Sequence, residues 1–399
     1  MPWKETCHVE ERMRFVLEVR AGRESMACLC RRFGISRQTG YKWLARYERA
    51  GPRGLEDRSS RPHRSPMAVS AWQAELIVSV RKTYSNWGPR KIRAHLQTLN
   101  PSERIPAAST IGRVLRANGL TRPRRRRRKM PRYTEPFAGC QSANDVWAAD
   151  FKGHFKAGRH TCYPLTISDG FSRYLLHCEA LRVPRFEQVQ SVFEAVFRTY
   201  GLPTAVRTDN GPPFASTGPG GLSKLSVWWV KLGIRPERIE PGHPEQNGRH
   251  ERMHRTLKEE TVNPPKNSLA EQQQAFDQFR RRFNETRPHE ALGQKPPALF
   301  YQPSRRVFPN VLADPTYSEQ YEHYRVDRVG RIQLRGWPLH LGECLEHELV
   351  GVLGQGEWFS IHFGPVLLGY VKKPSHRSDI LTLSPAGRKG DQPKPETPP

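Results

Sequence analysis

Asp150, Asp209 and Glu251 are carboxylates in a chain that otherwise favours cations, with 65 Lys and Arg against 39 Asp and Glu. Asp150 falls in the apolar, strand-like run WAADF, and Asp209 ends the strand-like TAVRTD. Acids inside or ending central strands are uncommon unless paired, capped or bound to a metal. Glu251 lies in GHPEQNGRHERMHRTLKEE, where a helix starting near Pro244 puts Arg255 and Lys258 on its own face and Met253 and Leu257 opposite. An exposed i,i+4 ion pair with Arg255 is the ordinary reading of Glu251, and Glu245 needs only the helix dipole. Together, three acids from two strands and a helix, with no His/Cys cluster beside them, could converge on a hard, oxygen-preferring cation such as Mg²⁺ or Mn²⁺. Two such ions can clamp the attacking and leaving oxygens of an in-line phosphoryl displacement. The acids would hold the ions, and the surrounding Arg, Lys and His would hold the anionic substrate.

The charge balance points to the same partner. A formal net charge of +26 and a pI of about 10.2 suit a phosphate backbone and imply steeply salt-dependent binding. No run of about 18 apolar residues and no apolar signal core at the N-terminus is present, so a soluble protein without a membrane partner is expected, in the cytoplasm where it is made. Seven cysteines scattered from Cys7 to Cys344, with no CxxC pair, read as reduced thiols rather than a disulfide framework or structural zinc.

The elements that must position these groups divide at Gly, Pro and Arg punctuation. Residues 1–57 read as a helix-turn-helix: an apolar stripe over Ser25 to Phe33, a break at Gly34-Ile35, Ser36 as N-cap, and a second helix with Tyr41, Leu44 and Tyr47 three apart. That second helix would present Arg37, Gln38, Thr39 and Lys42 to a major groove. After a linker at 58–67, residues 68–120 read as a second helix-turn-helix. Pro89 opens one helix, and Ser109 caps another that carries Thr110 and Arg113 as further DNA contacts. The basic linker 121–141, with Arg124, Arg125, Arg126, Arg127, Arg128 and Lys129, is expected to track along phosphates. Residues 142–302 read as an α/β layer with a mixed sheet, because three strands precede alternating helices and strands. Residues 303–330 read as a linker, 331–385 as a small β-barrel of short glycine-separated strands, and 386–399 as a disordered tail.

WAAD with Asp150, RTDNGPPF with Asp209, and GHPEQNGRHERMHRTLKEE with Glu251 resemble the three acid motifs of retroviral-integrase-like DDE transposases of bacterial insertion sequences. The likeness covers roughly residues 142–302, including NETRPHEALGQKPPA. It implies a ribonuclease-H-like core and catalysis by the three acids with two Mg²⁺ or Mn²⁺ ions. The partners would be duplex DNA, both transposon ends and target, bound by a homo-oligomer on paired ends, associated with the bacterial nucleoid. It further implies that Arg255 and Lys258, helped by His254, contact phosphates, and that Asn210, Gly211, His243, Asn247 and Gly248 shape the active-site loops.

Two departures bear on this. The family's spacing between second Asp and Glu is close to thirty-five residues, whereas 251 − 209 − 1 gives 41 here; counting alone would select Glu245. The motif places its acid after Asn-Gly and inside the helix, which selects Glu251, and the loop STGPGGLS can absorb the extra residues at little entropic cost. Nor is the His/His/Cys/Cys zinc module of retroviral integrases present; the helix-turn-helix blocks stand in its place. The rival expectations are a catalytically inactive DNA-binding regulator and a ribonuclease-H-like nuclease.

Overall fold

The computed structural model describes residues 7–59, 68–121, 140–239, 248–376 and 380–385, in two compact units divided between Val69 and Ser70. The first unit is a three-helix assembly: α1 (His8–Ala21), α2 (Met26–Arg32) and α3 (Arg37–Ala50), closed by a 3₁₀ turn at Gly51–Leu55. Ser25 and Ser36 cap α2 and α3, accepting from the backbone N–H of Cys28 and Thr39. The core is Phe15, Val16, Leu29, Cys30, Trp43 and Leu55. α1 was not expected from the sequence, because charged residues interrupt its apolar spacing. Nor does the expected stripe on α3 hold at Tyr41, which is 57% exposed; the buried side runs through Gly40 and Trp43.

Gly40 is where α3 presses closest to its neighbours. A Cβ there would lie 2.7 Å from Cys30 Sγ and 2.9 Å from Phe15 Cζ. Gly40→Ala is therefore expected to destabilise this unit by about 1–3 kcal/mol through overpacking, outweighing the gain of about 1 kcal/mol in helix propensity. Urea denaturation followed by Trp43 fluorescence would read the change.

The second unit opens with α4 (Ala71–Thr83), α5 (Pro89–Leu99) and α6 (Ala108–Ala117) around buried Ile77, Trp87, Ile92, Leu96, Ile111 and Leu115. Pro89 takes the first helical position of α5 as expected. Ser109 does not cap α6: Ala107 occupies the cap and Ser109 lies inside the first turn.

The α/β layer follows, with β1 (Val146–Phe151), β2 (Phe155–Ala157), β3 (His160–Asp169), β4 (Leu175–Leu181), α7 (Phe186–Tyr200), β5 (Ala205–Thr208), α8 (Lys224–Lys231), β6 (Arg235–Arg238), α9 (Gly248–Leu257) and α10 (Leu269–Arg281). The sheet is mixed, in the order β2-β3-β1-β5-β6 with β4 also on β3; β1, β5 and β6 are parallel and β3 runs against β1 and β4. Strand alternation sends Trp147, Ala149, Leu165, Ile167 and Val206 to one face, beneath α7 and α8. The opposite face receives Met253 and Leu257 of α9 and Phe276 and Phe279 of α10. Burial on both faces makes β1 read as apolar on every residue but its acid.

The C-terminal segment contains β7 (Glu322–Arg325), β8 (Arg331–Leu334), β9 (Trp337–His340), β10 (Leu349–Gln355), β11 (Trp358–Phe363), β12 (Val366–Lys372) and β13 (Ser384–Pro385). The expected barrel is not supported: the strands pair as a five-stranded sheet, β13-β12-β11-β10-β7, and a separate β8-β9 hairpin. One apolar core joins sheet and hairpin to Leu222, Val227 and Val230 of the α/β layer. The span 303–330 is likewise not a bare linker. It contributes β7, and Arg306 binds the carbonyls of Pro203, Leu232 and Gly233. Among the described residues no helix is long and apolar enough to cross a membrane.

Candidate active site

Asp150 lies in β1, and Asp209 follows the end of β5, the parallel neighbour of β1. The β1–β5 pairing ends with Ala148 opposite Arg207, two residues before each aspartate. Residues two apart on a strand share a face, so Asp150 lies on the Ala148 side of the sheet, where His254 of α9 approaches its carboxylate. Asp150 is half-buried, whereas Asp209 is exposed just beyond β5. The loop after it is held in place locally. Asp209 Oδ1 accepts from the Gly211 N–H at 3.2 Å, and Asn210 Nδ2 donates to the Ile239 carbonyl at 2.9 Å. Phe214 is buried and packs against Phe151 with the rings tilted by 37°.

Glu251 lies in the first described turn of α9, and the two faces of this helix divide as the sequence suggested. Glu251, Arg255 and Lys258 are exposed, while Met253 and Leu257 are buried. The i,i+4 ion pair with Arg255 does not form, and Glu251 has no ion-pair partner among the described residues.

A feature the sequence reading missed is a buried polar network under Asp150. The Thr166 hydroxyl, directly across from Asp150 in the β1–β3 ladder, donates to the Asp150 carbonyl at 3.1 Å. With its proton committed, it accepts from His250 Nε2 at 2.6 Å and His254 Nε2 at 2.7 Å. Both imidazoles are thereby fixed with the proton on Nε2. Burial keeps them neutral: His250 is pushed down to about 3, and His254 is held well below its usual value by burial and by its neighbours His250 and Lys152. The Nδ1 of His250 faces Ser168 Oγ at 3.3 Å, and that of His254 faces Asp150 Oδ2 at 3.8 Å. A neutral imidazole lone pair facing a carboxylate is not an ion pair.

Two expectations need correction here. Histidines do accompany the acids, and His254 is not a surface phosphate contact: it is 4% exposed and turned into the sheet. Among the described residues, the one group of three or more His, Cys, Asp and Glu with donor atoms all within 4.8 Å of one another is Asp150, His250 and His254. Asp209 and Glu251 are outside that group. Because both nitrogens of His250 are already engaged, the trio is better read as a hydrogen-bonded mount for Asp150 than as a three-ligand metal site. The signal was in the sequence: Thr166 and Ser168 alternate with Leu165 and Ile167, and His250 and His254 are one helical turn apart.

The remaining candidates fall elsewhere. Arg37, Gln38 and Lys42 are exposed at the start of α3, whereas Thr39 is half-buried against the Ser36 cap. Arg113 is exposed on α6 and donates to Thr110 at 3.2 Å. Gly248 opens α9. Arg124 to Lys129, His243, Asn247 and the rival acid Glu245 lie outside the described residues.

Comparison with known proteins bears on both halves of the chain. Residues 141–244 and 232–297 match integrase core domain families, residues 11–63 a helix-turn-helix domain and residues 39–115 a homeodomain-like domain. An uncharacterised 39.2 kDa protein of insertion element IS476 from Xanthomonas euvesicatoria is 29% identical over 240 residues, covering 59% of this chain and 67% of that one. A 31.7 kDa protein of insertion element IS407 from Burkholderia multivorans is 29% identical over 192 residues, covering 48% and 67%. Among solved structures, the HTLV-2 integrase catalytic core domain in complex with magnesium aligns with a TM-score of 0.33 at 17% identity, over 41% of this chain and 99% of that one.

Proposed function

From the premise that this chain belongs to the bacterial insertion-sequence transposases with helix-turn-helix domains and an integrase-like core, we propose that it binds the inverted ends of its element, hydrolyses the end phosphodiester and joins the 3′-hydroxyl to target DNA. The observation that supports this reading is the parallel pairing of β1 with β5, the strands that carry Asp150 and lead into Asp209, with α9 of Glu251 packed on the sheet and its His254 facing Asp150. Asp150, Asp209 and Glu251 would hold two Mg²⁺ or Mn²⁺ ions. When bound, these would supply Lewis acidity and lower the pKa of water or the attacking hydroxyl. The donor set fits such ions: a half-buried carboxylate at Asp150, exposed ones at Asp209 and Glu251, and a neutral imidazole nitrogen facing Asp150.

The chain's own groups do the rest. The Thr166 hydroxyl with its two imidazoles holds the Asp150 strand position, and Asn210 and Gly211 fix the approach of Asp209. Arg255 and Lys258, on the exposed side of α9, bind the phosphates flanking the scissile bond, and the exposed start of α3 reads the end sequence. Because two ends must be joined, a homo-oligomer does the work.

A metal-dependent nicking assay on supercoiled DNA carrying the element ends tests the reading. Cleavage in Mg²⁺ or Mn²⁺ is expected; binding without cleavage would mark a regulator instead, and a preference for RNA–DNA hybrids a ribonuclease-H-like nuclease. Arg255→Ala and Lys258→Ala are each expected to weaken binding across sequences and to lower the slope of log affinity against log salt by about 1. A binding series over several salt concentrations reads this directly, and an unchanged slope would remove these side chains from the DNA interface.

A further inference from the structure

Beside the acids lies a cleft of about 310 Å³ lined by Lys91 of α5, Arg173 of the β3–β4 loop, and Arg249, Arg252 and Arg255 of α9. The acids of its lining are engaged away from Lys91 and Arg173. Asp169 is buried and spends its oxygens on Asn144 N–H, Ser172 N–H and the Ser172 hydroxyl. Glu290 is exposed and pairs with Arg90 at 2.8 Å. Arg287, at the back, is matched by Glu260 at 3.0 Å, but Arg173 has a buried Nε with no partner and no ion pair among the described residues. The cations feel one another. Burial first, then Arg249 and Arg252, bring Arg173 down to about 10, and burial with Arg287 brings Lys91 down to about 7. Partly buried like charges need a counter-charge, and guanidinium forks with an ammonium match phosphate oxygens.

We propose that this cleft is a phosphate site that takes a backbone phosphate of duplex DNA running between the second helical block and the acids. This rests on the end-binding function proposed above. The placement favours DNA over a free ion. Ala148 and Ser168 on the cleft wall are opposed in the β1–β3 ladder, two residues before Asp150 and two after Thr166, about 7 Å along the strand on the same face. Lys91 comes from the helical block and donates to the Pro288 carbonyl at 2.5 Å, so one phosphate would bridge the block to the helix of Glu251.

The test couples each side chain to a single phosphate. End duplexes carrying one neutral methylphosphonate, walked along both strands, are bound to the wild type, Arg173→Met and Lys91→Met, with circular dichroism as the folding check; Lys91→Met serves if Arg173→Met does not fold. One position, or two adjacent ones, should cost the wild type about tenfold in affinity and cost the variants nothing further. If the end duplex is still preferred over an unrelated duplex but no position is coupled to either variant, the cleft proposal fails and end binding survives. Absence of that preference in the wild type overturns both. Inorganic phosphate that raises the melting temperature of the wild type but not of Arg173→Met, without a coupled position, would assign the cleft to a free phosphate and overturn the proposal as stated.

Discussion

Asp150→Asn, Asp209→Asn and Glu251→Gln are each expected to lose cleavage and strand transfer by at least about 10³-fold while still binding duplex DNA. Each substitution keeps the side chain's size and removes the anionic oxygen that a divalent ion prefers. The ground-state contacts to DNA come from cations elsewhere, so affinity should change little. Glu245→Gln should stay active, although simple residue counting favours Glu245 as the third acid. A labelled-end strand-transfer assay in Mg²⁺ and in Mn²⁺, run beside a binding measurement, separates these outcomes. A dead Glu245→Gln protein beside a working Glu251→Gln one would reverse the assignment.

Thr166→Val carries the second large effect. Valine matches threonine in shape, but it strands the Nε2–H groups of His250 and His254 in a site where both rings are buried. Each buried donor left without a partner costs about 1–3 kcal/mol, so a loss of about 2–6 kcal/mol is expected for the two, against about 1 kcal/mol for Thr166→Ser, which keeps the hydroxyl. The catalytic consequence runs through Asp150, whose carbonyl loses its donor and whose carboxylate loses the fixed His254 face. Turnover should fall more than DNA affinity, and Thr166→Ser should restore it. Equal urea midpoints for Thr166→Val and wild type would show that the network contributes nothing.

Much of this was legible in the sequence where one local signal had one reading. Ser25 and Ser36 cap their helices, Pro89 opens α5, and of the apolar stripe that helical spacing predicts over Phe186, Val189, Val192, Phe193, Val196 and Phe197, all are buried but the half-buried Phe186 and Val192. Asp150 and Asp209 were singled out for a similar reason: an acid in or ending an apolar strand has few ordinary explanations. What was missed depends on contacts distant in sequence. α1 is amphipathic only against α2 and α3, so its charges hid it. Tyr41 sat in an apolar rhythm, but the close approach at Gly40 rotated the buried side of α3 by a residue. The C-terminal strands were recognised individually, yet alternation within a strand does not say whether the ends of a sheet meet. The Thr166, His250 and His254 network joins β3 to α9 across more than eighty positions, and a hydroxyl in a β-branched strand residue is by itself an ordinary thing. The cationic cleft was hidden because its members come from α5, a loop and α9, each exposed by sequence pattern alone.

The most direct measurement is anomalous scattering at the manganese edge from crystals of the protein grown with Mn²⁺. Manganese held jointly by the carboxylates of Asp150 and Asp209, with Glu251 drawn toward it, is the expected result. Manganese seated on Asp150, His250 and His254 alone, with Asp209 and Glu251 turned away, would contradict it.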